Sequence, residues 1–150
     1  MPAIHLRSSA KFIVLLSLAQ PPSIMLTAGP AWAQSAAVIA IDTAQHNCLD
    51  HAQSDPEMQR CLTVSETAYD AELNKSFKEA IEVLDPGSTK LLRDAQRQWL
   101  VAWEADRKVW RGSWNATAGT MANVAADEVE AGRTRQRAIE LGLLVQSLKG

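Results

Sequence analysis

Small and apolar residues recur every three or four positions along most of this chain, which is the period of one face of an α-helix. Asp55 as N-cap and Pro56 at the first helical position mark the start of the longest such run, and Asp85-Pro86-Gly87 marks its end. The run predicts one long amphipathic helix, whose inward positions are Met58, Cys61, Leu62, Ser65, Ala68, Tyr69, Leu73, Phe77, Ala80, Ile81 and Leu84.

Three further segments have helical patterning. Ser88 or Thr89 caps a second amphipathic run that ends before Gly112, and the residues from Met121 to Leu148 form one long helix or two that meet near Gly132. Asp42 or Thr43 caps a short first helix ending near residue 52, and residues 113–119 are expected to be irregular. Because no strand alternation is sustained, the sequence predicts an all-α fold, a small antiparallel bundle of three to five helices.

The first 33 residues have the pattern of a secretory signal peptide. Arg7 and Lys11 precede an apolar stretch, and Ala31-Trp32-Ala33 matches the small-x-small pattern that signal peptidase cleaves. An uncleaved anchor is the less favoured alternative, since the uninterrupted apolar run is shorter than the roughly 20 residues a membrane span needs. We expect cleavage after Ala33, a periplasmic or secreted protein that is not inserted in the membrane, a flexible lead-in over residues 34–46, and a helical domain over residues 47–148.

Composition restricts the function further. Hydrophobic residues make up 47% and charged residues 21% of the chain, as in globular proteins. The net charge is −2, or −4 from residue 34 onward, and no basic run occurs, which argues against nucleic-acid binding. No nucleophile–base pair, metal-ligand spacing or glycine-rich phosphate loop is present in the sequence, so neither an enzyme nor a metal or cofactor site is predicted.

Both cysteines, Cys48 and Cys61, lie in the part that follows the signal peptide. In an oxidising compartment two such thiols are expected to form a disulfide. A zinc site that also uses His46 and His51 is the minor alternative, because it needs four converging ligands and reduced thiols.

Four of the five tryptophans, Trp99, Trp103, Trp110 and Trp114, are spaced by 4, 7 and 4 residues and share one helical face. We favour core positions for Trp99 and Trp103, packed against the long helix. The alternative is an exposed aromatic strip that stacks on glycans or anchors a partner protein. Trp114 lies beyond the end of the helix, so both interpretations stay open there. Asp106 falls on the same face, which indicates a paired carboxylate or an opening in the packing.

A basic cluster, Arg133-Thr134-Arg135-Gln136-Arg137, precedes Glu140. A surface face with local pairing between Arg137 and Glu140 is the favoured interpretation. The alternative is that one arginine reaches a carboxylate on another helix, such as Asp70 or Glu72. Asn74 and Arg137 interrupt otherwise apolar faces, so we expect each to satisfy buried polar groups between helices.

Four short motifs follow one another in the order of a known family. They are Cys48 with Glu57-Met58-Gln59-Arg60-Cys61, then Asp70-Ala71-Glu72-Leu73-Asn74, then Gln96-Arg97-Gln98-Trp99, and finally Thr134-Arg135-Gln136-Arg137 with Glu140-Leu141. Together they resemble the LprI-like family of exported helical domains, which is named for a lysozyme inhibitor. The resemblance implies structural roles for Asp70, Leu73, Asn74, Gln96, Trp99, Thr134, Arg137 and Glu140.

The chain departs from this family in its cysteines. Members often carry a third cysteine soon after the signature tryptophan and a fourth near the closing motif, where this chain has residues 103–107 and Val129. The resemblance implies a protein that binds a protein partner, with lysozyme as the named candidate, and that acts by steric occlusion. Trp110, Trp114 and Asn115 are then the expected contacts. The alternative is an envelope module that binds peptidoglycan or a membrane-protein partner without inhibiting anything.

Overall fold

The structure, a computed structural model, describes residues 35–150. The expected signal peptide and its cleavage site lie outside the described residues. Over the described range the chain forms helices and no strands, which confirms the all-α prediction. The helices are α1 Ala36–His51, α2 Asp55–Val83, α3 Pro86–Trp110, the short α4 Ser113–Thr117 and α5 Thr120–Lys149. None of these five helices is long and apolar enough to cross a membrane.

Helix α1 begins earlier than the sequence predicted. Ser35 caps it, since its hydroxyl accepts a hydrogen bond from the backbone N–H of Val38 at 3.2 Å. Val38 is buried against Tyr69 and Leu73 of α2. The expectation of a flexible lead-in is therefore wrong for residues 36–46, because tertiary burial of one side of this short segment stabilises it as helix.

Long helices that follow one another along the chain are antiparallel, so α2 and α5 run in the same direction. The hydroxyl of Thr120 donates to Asp55 at the start of both helices, and Lys149 Nζ lies 2.6 Å from Glu79 Oε2 near their ends. The contact between α2 and α5 is the most extensive in the bundle. At the centre of this contact lies a buried cluster. It consists of Val38 from α1, Tyr69 and Leu73 from α2, and Ala138 and Leu141 from α5.

Helix α3 lies at the edge of this pair, and none of its 25 residues is buried. Trp99 packs against the core cluster, and the ring centroids of Trp99 and Trp103 are 6.4 Å apart. The indole nitrogen of Trp103 is buried and has no hydrogen-bond partner among the described residues. The tryptophan face of α3 therefore packs inward, as the core interpretation predicted, and these two rings do not form an exposed strip.

The predicted disulfide joins Cys48 of α1 to Cys61 of α2, whose Cα atoms are 5.7 Å apart. Cys61 is buried and Cys48 is exposed. Because both thiols are consumed in this bond, the zinc alternative is wrong.

The arginines of the basic cluster reach other helices. Arg135 binds Asp42 on α1, Arg133 pairs with Asp106 on α3, and Arg137 Nε donates to Gln96 Oε1 at 2.9 Å. The interhelical alternative is thus confirmed, although the carboxylates are not those of Asp70 and Glu72. Arg137 also makes the local pair with Glu140, at 2.9 Å, and the paired-carboxylate interpretation of Asp106 is confirmed as well.

The expectation for Asn74 is wrong. Its side chain is exposed on α2, and its amide donates within the same helix, to Asp70 O at 2.8 Å and to Asp70 Oδ2 at 2.9 Å. The position is therefore a solvent-facing one, and Asn74 satisfies no group between helices. Leu73 and Thr134 are buried, and the Thr134 hydroxyl donates to Glu130 O at 3.1 Å.

Candidate functional site

The candidate site is the turn that joins α3 to α5, residues 109–121, here called the corner. Three large apolar side chains are solvent-exposed there: Val109 (64% exposed), Trp114 (46%) and Met121 (56%). They lie within 13 residues of one another along the chain, and exposed apolar groups that form one patch are typical of a contact surface.

The corner is more regular than the sequence predicted, since residues 113–117 form the single helical turn α4. Asn115 explains this order. Its side chain is buried, and its amide donates to Trp110 O at 2.9 Å and to Ala122 O at 3.0 Å. One side chain thus ties the end of α3 to the start of α5. Asn115 is therefore a structural residue, and the expectation that it contacts a partner is wrong.

Trp114 is held in one orientation while staying accessible. Its indole N–H donates to Val109 O at 2.6 Å, and its ring meets the half-buried Trp110 edge-on, with centroids 6.0 Å apart. An anchored aromatic ring loses little conformational entropy when a partner covers it. Of the three contact residues expected from the sequence, Trp114 is the one that the structure presents to solvent, and Trp110 supports it from behind.

Near the end of the corner, Gly119 has a backbone φ of 86°, in the region that favours glycine. The next residue, Thr120, starts α5 and is hydrogen-bonded to Asp55 of α2. The corner is therefore fixed at both ends, by Asn115 on one side and by this contact on the other.

A charged cluster beneath the corner joins α3 to α5. Its centre is Glu130, which is 3% exposed and lies 3.2 Å from Arg107 Nε and 2.7 Å from Arg111 Nε. Arg111 also pairs with Asp127, and the Arg107 guanidinium lies 4.7 Å from the centroid of the Trp103 ring. A buried carboxylate is stable only when cations and hydrogen bonds compensate its desolvation, as these two arginines do.

Glu66 of α2 faces the same cluster without a cation in direct contact among the described residues. Burial raises the pKa of its carboxyl, and the negative charges of Glu130 and Asp127 raise it further, while Arg107 and Arg111 oppose the shift. Sequence reasoning missed this cluster. Its one usable signal was Glu130, a charged residue between the apolar positions of a predicted helix.

The cluster lies at the level of residues 103–107 and Val129, where the family resemblance implies a second cysteine pair that this chain lacks. One small cavity lies between α3 and α5. It is lined by Trp103, Asp106 and Arg107 of α3 and by Val129 and Glu130 of α5. The two cysteine-lacking segments thus face each other, and ion pairs join the helices at this level instead of a disulfide.

The corner offers indole, thioether and aliphatic groups for contact. No group of three or more histidine, cysteine or acidic side chains able to hold a metal ion occurs between residues 35 and 150. The geometry is that of a recognition surface held in place by hydrogen bonds and ion pairs.

In a comparison with family models, the model described as "Lysozyme inhibitor LprI" matches residues 48–141. This segment runs from the first cysteine to Leu141 in the core of α5 and includes the whole corner. No curated protein and no solved structure matches the chain.

Proposed function

Because this chain belongs to the LprI lysozyme inhibitor family, we propose that it is an exported protein that binds lysozyme and blocks access to its glycan-binding cleft. The family description is that of an inhibitor, so the proposal contains no catalytic step. The observation that carries it is the corner, where an anchored and half-exposed Trp114 lies between exposed Val109 and Met121.

A turn between two helices suits occlusion better than a helix face does. Such a turn projects a few apolar side chains that can enter a cleft, and the helical bundle behind the turn holds them in place. Buried aromatic anchors carry most of the binding energy in protein interfaces. Trp114 is the residue of the corner that fits this role, because its ring is already oriented by Val109 and Trp110.

Charge supports the same partner. From residue 34 onward the chain carries 17 acidic and 13 basic residues. A net negative protein is steered toward a cationic lysozyme, and such steering raises the association rate and weakens with salt.

Export is supported by the signal-peptide pattern of residues 1–33 and by the Cys48–Cys61 disulfide, which persists in an oxidising compartment. We propose a periplasmic or secreted location. Mass spectrometry of the protein recovered from the envelope and the medium tests it, with an N-terminus at Gln34 and two oxidised cysteines expected.

The test of inhibition is lysis of cell walls by lysozymes of several classes, with the purified protein at micromolar concentration. We expect slower lysis, and a loss of at least about tenfold in potency for Trp114→Ala. The matched control is Leu91→Ala, an exposed apolar residue near the other end of α3 (70% exposed), which should keep full potency. Undiminished lysis by every class contradicts the proposal.

Sedimentation with insoluble peptidoglycan separates this function from the envelope-module alternative. An inhibitor stays in solution when lysozyme is absent, whereas a peptidoglycan-binding module sediments. The inward packing of Trp99 removes a large part of the aromatic surface on which that alternative depended.

A further inference from the structure

A second apolar surface, formed by residues outside the corner, is the groove between α1 and α2. The groove has a volume of about 360 Å³, which is within the size range of small-molecule pockets. Its walls include Ile41 and Ala44 of α1, Val64 and Ala68 of α2, and the disulfide between Cys48 and Cys61. Most of these side chains are small and apolar, so the groove offers an apolar surface to a chain of methylene groups.

Two of the polar residues that line the groove, Gln45 and Ser65, lie against polar groups of the protein. The Gln45 side-chain oxygen lies 2.9 Å from the Tyr69 hydroxyl, and the Ser65 hydroxyl donates to Leu62 O at 2.9 Å. Arg60 differs. It is exposed and has no ion pair or hydrogen bond with any described residue.

Arg60 also borders the neighbouring hollow at the end of α1 and the start of α2, so it lies where the apolar groove opens to solvent. Glu57 also lines that hollow; it accepts from Gln53 N at 2.7 Å and makes no ion pair with Arg60. An apolar channel that ends at an uncompensated guanidinium is complementary to a molecule with a long apolar chain and one anionic end.

We propose that this groove binds a single fatty acid, with its acyl chain between α1 and α2 and its carboxylate on Arg60. The apolar chain supplies most of the affinity, since each methylene group removed from water strengthens binding by at most about fourfold. The charge on Arg60 selects a carboxylate over a neutral head group. The site is separate from the corner, so the proposal does not depend on lysozyme binding.

The experiment is titration of the purified protein with dodecanoate below its micelle concentration, followed by calorimetry and by the NMR signal of a ¹³C-labelled carboxyl. Saturable one-to-one binding is expected, tighter than that of octanoate. Arg60→Gln should weaken dodecanoate about tenfold and leave dodecanol unchanged. The matched control is Arg93→Gln, because Arg93 is also exposed and without an ion pair among the described residues but lies on α3.

Two variants test the groove itself. Ala44→Phe fills it and should abolish binding of both dodecanoate and dodecanol. Since Ala44→Phe can disturb α1, Val64→Asp is the second variant: Val64 is 65% exposed, and an aspartate there repels the carboxylate without entering the core. Thermal melting confirms that each variant is folded.

Three results overturn the proposal. One is the absence of saturable binding. Another is equal affinity for dodecanoate in the wild type and in Arg60→Gln. The last is a dimer in sedimentation that Val64→Asp dissociates while dodecanoate does not bind, which would make the groove an interface between two copies of the chain.

Discussion

Arg135 on α5 holds the carboxylate of Asp42 on α1 through two hydrogen bonds, Nε to Oδ1 at 2.7 Å and Nη2 to Oδ2 at 2.6 Å. The hydroxyl of the buried Tyr69 on α2 donates to the same Oδ1 at 2.6 Å. One carboxylate therefore joins three helices. The Cys48–Cys61 bond fixes the end of α1 covalently, and this cluster fixes its middle.

Replacing Asp42 by Asn should lower the free energy of unfolding by about 1–2 kcal/mol, because Arg135 loses its anionic partner. Urea denaturation measures the change. The control is Glu82→Gln, an exposed carboxylate on α2, which should stay within about 0.5 kcal/mol of the wild type. Equal losses in the two variants would show that the Asp42 contact contributes nothing specific.

The same pair predicts a pH dependence. Hydrogen bonds from Arg135 hold the pKa of Asp42 below its usual value, and they outweigh the burial that raises it. A carboxyl whose folded-state pKa is lowered stabilises the fold above its unfolded pKa of about 3.9, and this contribution is lost as the pH falls through the folded-state pKa. The wild type should therefore lose more stability than Asp42→Asn between pH 5 and pH 2. Denaturation curves across this range test it, and a constant difference between the two proteins contradicts it.

Glu66 should behave in the opposite way. Burial, together with the charges of Glu130 and Asp127, raises the pKa of its carboxyl, so the ionised form destabilises the folded state at neutral pH. Glu66→Gln should raise Tm by roughly 1–3 °C at pH 7, and this gain should shrink as the pH falls toward 4. Differential scanning calorimetry at both pH values measures it. A lower Tm at pH 7 would mean that Arg107 and Arg111 depend on the Glu66 charge.

Asn115→Ala should cost about 2 kcal/mol of stability, because the carbonyls of Trp110 and Ala122 lose their donor. It should also weaken lysozyme inhibition, since the corner loses its fixed shape. The matched control is Asn74→Ala on the exposed face of α2, which should change stability by less than about 0.5 kcal/mol. Chemical denaturation and the lysis assay are measured on the same preparations. Inhibition that survives in an Asn115→Ala protein of reduced stability would separate the two roles of the corner.

Removing the disulfide by Cys48→Ala with Cys61→Ala should lower the free energy of unfolding by about 3 kcal/mol, as expected for a bond between residues 13 apart. Treatment of the wild type with dithiothreitol should lower its stability by a similar amount. The double variant should not respond to dithiothreitol at all, which serves as the control. Equal stability of the oxidised and reduced wild type contradicts the assignment.

The fold class followed from the sequence because three long segments repeat at the helical period, and Asp55-Pro56, Asp85-Pro86-Gly87 and Gly112 mark boundaries between them. The inward position of Trp99 followed from the same period. The start of α1 did not, since the burial of Val38 depends on Tyr69 and Leu73, more than 30 residues away. Local propensity carries no information on such a contact.

The site was predictable in part. The end of α3 before Gly112 indicated an exposed turn, so Trp114 could be selected. The roles of Asn74 and Asn115 could not be assigned, because the rotation of each helix about its axis decides which asparagine faces the bundle. The same rotation decides that the arginines at 133 and 135 reach Asp106 and Asp42 instead of Asp70 or Glu72.

The helices are linked in two ways that respond to different chemical conditions. Ion pairs join α3 to α5, and a disulfide joins α1 to α2. A thiol reductant acts on the α1–α2 connection and leaves Arg107, Arg111 and Glu130 untouched. High salt weakens the more exposed pairs, such as that of Arg133 with Asp106, and leaves the sulfur bridge intact. The attachment of α3, the helix that leads into the corner, therefore depends in part on the ionic strength of its surroundings and not on their redox potential.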